Sequence, residues 1–345
     1  MNNDISKNDQ NKAIARWLFI CCGLVFAMVV LGGVTRLTGS GLSMAEWRPI
    51  MGILPPLSDA EWQRVFDIYR QTPEFLHVNF DMDVEGFKGI FWLEYLHRVL
   101  GRLLGFAFSI PLVYFVVRKY ISMRDLPWYV LMLALGGAQG FIGKIMVASG
   151  QVDAPHVSQY RLVAHLTAAF LVYAMMFWRA LSLRQGDIKT TSHHWFSRTA
   201  WLTALISLTV VSGGFVAGLK AGWIFNTFPK MGDTWLPPGF AALDPFWRNL
   251  TENMATVQFN HRLLAIGTFV VIVIYWLRAR RANLPRHAEK ASTALLHTGT
   301  LQVLLGISTL LLSVPTFLAV SHQAVALVLL TVALFLTHSL RKVPM

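Results

Sequence analysis

The chain has 345 residues, 54% of them hydrophobic and only 14% charged, a balance that departs from a soluble globular domain in both directions and makes lipid the solvent. Its net charge of +12 is gathered in short clusters between long apolar runs, so membrane orientation and anionic lipid account for it and no nucleic acid is expected as a partner.

From the N-terminus, residues 1–16 form a polar tail. The apolar run that follows is full length and has no small-residue cleavage site, which makes it a retained helix. Its adjacent cysteines, Cys21 and Cys22, point to different sides of that helix and serve as packing residues rather than as a disulfide framework. Crossing hydrocarbon takes about 20 apolar residues. Eight segments reach that length, near 17–38, 89–117, 127–148, 158–180, 199–219, 253–277, 292–313 and 316–339. The connections sort by charge. One side holds 17 basic residues against five acidic ones, which by the positive-inside rule makes it cytoplasmic, with both termini. The other side carries the two long connections, 39–88 and 220–252. Both are rich in Pro, Gly and Trp, as in Trp47-Arg48-Pro49, Leu54-Pro55-Pro56 and Trp235-Leu236-Pro237-Pro238, which suits loops folded at the bilayer interface.

The chain repeats itself. Gly32-Gly33 recurs as Gly213-Gly214, and His97-Arg98-Val99-Leu100 as His261-Arg262-Leu263-Leu264. Gln139-Gly140-Phe141-Ile142-Gly143 recurs as Gln302-Val303-Leu304-Leu305-Gly306, and His165 answers to His322. The expected fold is therefore all-α and integral to the membrane, with eight transmembrane helices in two tandem four-helix bundles, residues 17–190 and 191–345. Each half has an even number of spans, so the halves share one orientation and a pseudo-two-fold axis along the membrane normal.

His97, His165, His261 and His322 each lie six to eight residues from the outer end of a span. At 1.5 Å per residue their depths differ by about 3 Å, one layer across the outer half of the membrane. A lone membrane histidine is as well explained by hydrogen-bonded packing. Four at matched depth, two per repeat, suit the axial positions of two heme irons. Zinc would require further ligands, and a proton relay a chain of carboxylates, and the spans supply neither. Arg98 and Arg262 follow two of the histidines, and Arg161 precedes a third by one turn. Each can meet a heme propionate or snorkel to the interface. The other seven histidines, His77, His156, His193, His194, His287, His297 and His338, are assigned solvated or interfacial roles.

The halves differ at one position on the histidine face. Glu94 precedes His97 by three residues, and its counterpart before His261 is Gln258. A carboxylate beside a heme edge can relay a proton or stabilise a developing cation; paired with Arg98 at i, i+4 it is a structural ion pair. Lys144 in the third span also lacks a counterpart, and snorkelling explains it.

Taken together, Glu94-Tyr95-Leu96-His97-Arg98, Asn260-His261-Arg262, His165, His322 and the exit Gly32-Gly33-Val34-Thr35-Arg36-Leu37-Thr38-Gly39-Ser40-Gly41 resemble the heme A synthases, over essentially the whole chain. That resemblance implies an oxidoreductase that turns a methyl group of heme O into the formyl group of heme A, by successive hydroxylations and loss of water. It implies that His97 and His165 bind substrate heme O, that Glu94 is required for conversion, and that His261 and His322 keep a heme b through which electrons leave. Heme O synthase and an electron acceptor are the implied partners. Some relatives carry a cysteine pair in the first outer loop; none stands there here, so the chain looks like the cysteine-free branch of proteobacteria and mitochondria. Its length and the lack of an evident transit peptide favour a bacterial inner membrane. Two other readings remain open: a di-heme b-type electron carrier or quinol oxidoreductase, which leaves Glu94 without purpose, and a transporter, which predicts no tightly held iron.

Overall fold

The computed structural model describes residues 2–46, 54–150, 156–185 and 194–341, and is all-helical among them apart from one isolated bridge between Met231 and Thr234. The motif Trp47-Arg48-Pro49 and His193 lie outside the described residues. In chain order the α-helices are α1 (Asn2–Leu37), α2 (Asp59–Tyr69), α3 (Pro73–His77), α4 (Val84–Val117), α5 (Leu126–Ala148), α6 (Gln159–Gln185), α7 (Trp195–Gly218), α8 (Met254–Ala279), α9 (Arg286–Leu311) and α10 (Thr316–Ser339). Among the described residues eight of them, all but α2 and α3, are long and apolar enough to cross a membrane, as the hydropathy predicts.

Helix starts are set by polar caps that the apolar windows did not register. The Asp83 carboxylate accepts from Gly86 N (2.8 Å) and begins α4 five residues before the expected span. Asn253 accepts from Thr256 N (3.0 Å) at the head of α8. The polar tail is helical as well: α1 starts at Asn2, and Ile14 and Ala15 are already buried.

The chain divides into two compact units, residues 23–172 and residues 1–22 with 173–345, so α1 and α6 each contribute to both. In the second unit α7, α8, α9 and α10 close a ring, each packed on the next and α10 on α7. Its apolar core fills the end where α7 and α9 begin, around Trp195, Ile206, Ile272, Leu295 and Leu336. Cys22 is buried with its Sγ 3.9 Å from the Tyr173 carbonyl, and Cys21 next to it in sequence is buried too, the packing role expected of both.

In the first unit α4 packs on α5, and the connection after α1 folds back over the head of α4. Helix α2 is amphipathic. It opens with Ser58 accepting from Glu61 N (3.3 Å) while Glu61 accepts from Leu57 N (2.8 Å), a reciprocal cap. Its buried face, Trp62, Phe66 and Tyr69, joins Phe75, Phe87, Phe91 and Tyr95 in one aromatic cluster. Tyr69 and Phe87 stack at 5.0 Å. Burial, and the Glu74 carboxylate beside it, push the Tyr69 phenol upward and keep it neutral. Phe87→Ala is expected to cost about 3–5 kcal/mol. Thermal unfolding of the detergent-solubilised protein checks it: the midpoint falls for Phe87→Ala and holds for Leu57→Ala, whose side chain is exposed.

Candidate functional site

The segments leading into the site repeat in three dimensions. Helix α1 ends at Leu37 and α7 at Gly218; two residues later Gly39 (φ 68°) and Lys220 (φ 54°) take left-handed backbone. Single 3-10 turns follow, Ser40–Leu42 and Ala221–Trp223. Every pair is offset by 181 residues, the spacing of Gly32 and Gly213. Lys220 adopts without a glycine what Gly39 adopts freely, at a cost of about 1–2 kcal/mol.

Two arginines gather the loops that follow. Arg98 donates to the carbonyls of Met44 (3.1 Å) and Glu46 (3.4 Å). Arg262 donates to those of Phe225 (2.7 Å), Thr227 (2.8 Å) and Lys230 (3.2 Å). Met44 and Glu46 are the 181-residue counterparts of Phe225 and Thr227, so both arginines grip the same two peptide units of the repeat. Neither partner set was foreseen, because carbonyl acceptors leave no mark on residue type. Arg161 does the same for α5, donating to the Ile145 carbonyl (2.8 Å) in that helix's last turn.

Glu94 and Gln258 also address one loop residue, with opposite polarity. Glu94 is 3% exposed, ion-paired with Arg98, and accepts from Met44 N (2.7 Å) and Ser43 Oγ (2.8 Å). Gln258 donates to the Phe225 carbonyl (3.2 Å), and its buried Oε1 has no hydrogen-bond partner among the described residues. Both the ion pair and the carboxylate's position one turn from His97 are therefore present together. A cavity of about 280 Å³ lies behind this clamp, between residues 43–46, Phe91 and α2; none of the four in-span histidines lines it.

Each of those histidines is half-buried and sits against a glycine of a neighbouring helix. A Cβ placed on Gly32 would lie 2.8 Å from His97 Cε1, on Gly143 3.4 Å from His165, on Gly213 3.1 Å from His261 and on Gly306 2.9 Å from His322. The repeated glycines are thus the space the imidazoles occupy. His97 lies within electrostatic reach of His165, and His261 of His322. Their ring nitrogens are treated differently. The Nδ1 of His261 meets Ser212 Oγ at 2.7 Å, and that of His165 meets the Gln139 amide at 3.0 Å. Gln302 instead reaches Nε2 of His322 at 3.3 Å. The Nδ1 atoms of His97 and His322 are buried without a hydrogen-bond partner among the described residues, as is Nε of Arg262.

Of the remaining histidines, His77, His156, His194, His287 and His297 are exposed. His338 departs from expectation. It is 1% exposed, its Nε2 is 3.0 Å from Ser182 Oγ, and Trp178 meets it edge-on, because the last turn of α10 packs against α6 instead of reaching the interface. Lys144 is exposed, in keeping with snorkelling. For the loop clamps, Arg262→Ala leaves three carbonyls without their cation and is expected to open residues 225–231 to limited proteolysis. Arg262→Lys does not restore protection, because an ammonium cannot span the three acceptors as a planar fork does.

Comparison with known proteins identifies the family. The family model for the COX15-CtaA cytochrome oxidase assembly proteins matches residues 15–334. The heme A synthase of Nitrosospira multiformis is 50% identical over 97% of this chain and 97% of its own length. Heme A synthase COX15 of Arabidopsis thaliana is 45% identical over 96% of this chain and 75% of its own, and that of Homo sapiens 45% over 96% and 84%. With eight apolar helices, a duplicated histidine-arginine motif and near end-to-end similarity to heme A synthases, the chain belongs to the COX15-CtaA family of cytochrome oxidase assembly proteins.

Proposed function

We propose that this protein is a heme A synthase of a bacterial inner membrane, an oxidoreductase that converts a methyl group of heme O into the formyl group of heme A. One observation carries the reading: four in-span imidazoles, two in each half, each given room by a glycine on a neighbouring helix. Packing residues would not need that room in duplicate.

The residues fit two hemes. Gly32, Gly213 and Gly306 remove a side chain that would crowd the facing ring, and the buried, unpartnered Nδ1 atoms of His97 and His322 are polar groups awaiting a context. In this reading His97 and His165 bind heme O in residues 17–190, and His261 and His322 hold heme b in residues 191–345. The halves are tandem four-helix bundles related by a pseudo-two-fold axis along the membrane normal. The constant 181-residue register from Gly32 through Glu46 supports that relation, and the 17 basic residues on one side support cytoplasmic termini. Heme b supplies one-electron transfer when bound, passing electrons to an acceptor; heme O synthase supplies the substrate.

The chain's own groups then divide the work. Arg98 and Arg262 would be the cations to meet propionates, Arg262 through the buried Nε–H that its loop carbonyls leave unused. Glu94 takes protons released as the methyl group is oxidised, and Gln258 cannot. Its Oε2 already accepts from Ser43 and Met44, so a proton arriving there must displace one of them. Uptake at that oxygen of Glu94 is thereby tied to the position of the loop. The di-heme carrier gives this asymmetry no use.

Cells that make heme O are expected to accumulate heme A when they express this protein, as read by chromatography of extracted hemes. Glu94→Gln should lower that yield by at least about a hundredfold. His261→Ala or His322→Ala should remove the retained heme b from the purified protein. No heme A with the unaltered protein contradicts the enzyme reading, and a colourless, folded preparation from heme-replete cells contradicts any heme role.

A further inference from the structure

The two halves differ along a line that the reaction does not use. On α7, Thr199 meets Tyr275 Oη (2.8 Å), Thr203 meets Thr337 (2.8 Å), Thr209 meets Thr268 (2.7 Å) and Ser212 meets His261 Nδ1 (2.7 Å). These bonds fasten α7 to α8 and α10 from one end to the histidine. At the 181-residue offset the same four positions of α1 are Leu18, Cys22, Met28 and Leu31, and only the cysteine among them carries even a weak donor. The seam belongs to one half alone.

Its last member also fixes a tautomer. The Ser212 hydroxyl donates to the Thr209 carbonyl (2.8 Å), which spends its only proton. With that proton on the Thr209 carbonyl, the oxygen accepts from an Nδ1–H of His261 and Nε2 keeps its lone pair free. That is the state an iron ligand requires, and a hydrogen-bonded Nδ1–H makes the imidazole a stronger donor to the metal. In the other half Leu31 stands where Ser212 does, and Nδ1 of His97 has no hydrogen-bond partner among the described residues. Its ring rests against Gly32.

We propose that Ser212 is a positioning residue that makes the His261 site retentive, and that Leu31 at the equivalent place leaves the His97 site free to exchange its ligand. The inference rests on the assignment of heme b to His261 and His322 and of heme O to His97 and His165. A cofactor must stay while substrate enters and product leaves, and two sites built from one duplicated plan need a physical difference to behave so. The serine seam is such a difference: it lowers the freedom of the ring and its helix where the metal is to be kept. At His97 the apolar counterpart withholds it, and the one Nδ1 bond of that half falls on His165 instead, to Gln139.

The test uses the full-length protein, with heme b and heme O distinguished by chromatography of extracted pigment. Transfer of heme to excess apomyoglobin gives release rates, and a redox titration gives the midpoint potential of heme b. Ser212→Ala should release heme b about ten- to a hundredfold faster and move its midpoint upward, because the ring donates less charge to ferric iron. Ser212→Thr, which keeps the hydroxyl, should return both toward the parent values. Leu31→Ser, read on the opposite half, should slow heme O release. Parent-like release and potential in Ser212→Ala overturn the proposal, as does unchanged heme O release in Leu31→Ser. Those failures leave the heme assignment standing provided His261→Ala still loses heme b. If His261→Ala keeps it, the assignment itself fails.

Discussion

An imidazole inside a bundle of apolar helices needs a space beside it that any side chain would fill, and the rest of this structure follows from meeting that need four times. Gly32, Gly143, Gly213 and Gly306 leave contacts of 2.8–3.4 Å between a would-be Cβ and the facing ring. The tolerance is small. At Gly32, Gly213 and Gly306 the would-be Cβ falls at 2.8–3.1 Å, so the approach of α1 to α4, α7 to α8 and α9 to α10 is set by where the rings sit. The polar rings and the helix register specify one another.

The same register governs the connections. After α1 and after α7 the chain turns through a left-handed residue and a short 3-10 turn into a loop whose carbonyls an arginine gathers. Because that arginine directly follows a histidine of the neighbouring helix, the loop is tied to the ring's own helix one residue away. A site and its cover thus move as one piece. Glu94 adds a second tie in the first half, to a backbone N–H, where Gln258 binds a backbone carbonyl. Carboxylate and amide tie the same loop position, and only the carboxylate can ionise.

Much of this was legible in the residues. Span lengths follow from hydrocarbon thickness, so α10 runs over the expected 316–339 and α5 starts within one residue of expectation. Repeated Gly, His and Arg announced the duplication because each is costly or unusual at its place. What stayed hidden depends on geometry that no single residue encodes. Asp83 starts α4 five residues before the apolar run because its side chain caps an amide, which hydropathy cannot register. The arginine clamps use backbone carbonyls, which every residue has. Ser212 is one hydroxyl among several on α7, and only the rotation of that helix aims it at His261. His338 sits near a helix end, where solvent was the natural expectation, but α6 covers it.

The central claim is that the paired imidazoles of each half share one iron. A density map of the protein purified from heme-replete cells tests it most directly. The account predicts a porphyrin between His261 and His322, each ring on one face of the iron, with a second position of the same kind between His97 and His165. Porphyrin density elsewhere, or either pair of rings turned toward lipid with no metal between them, would contradict it.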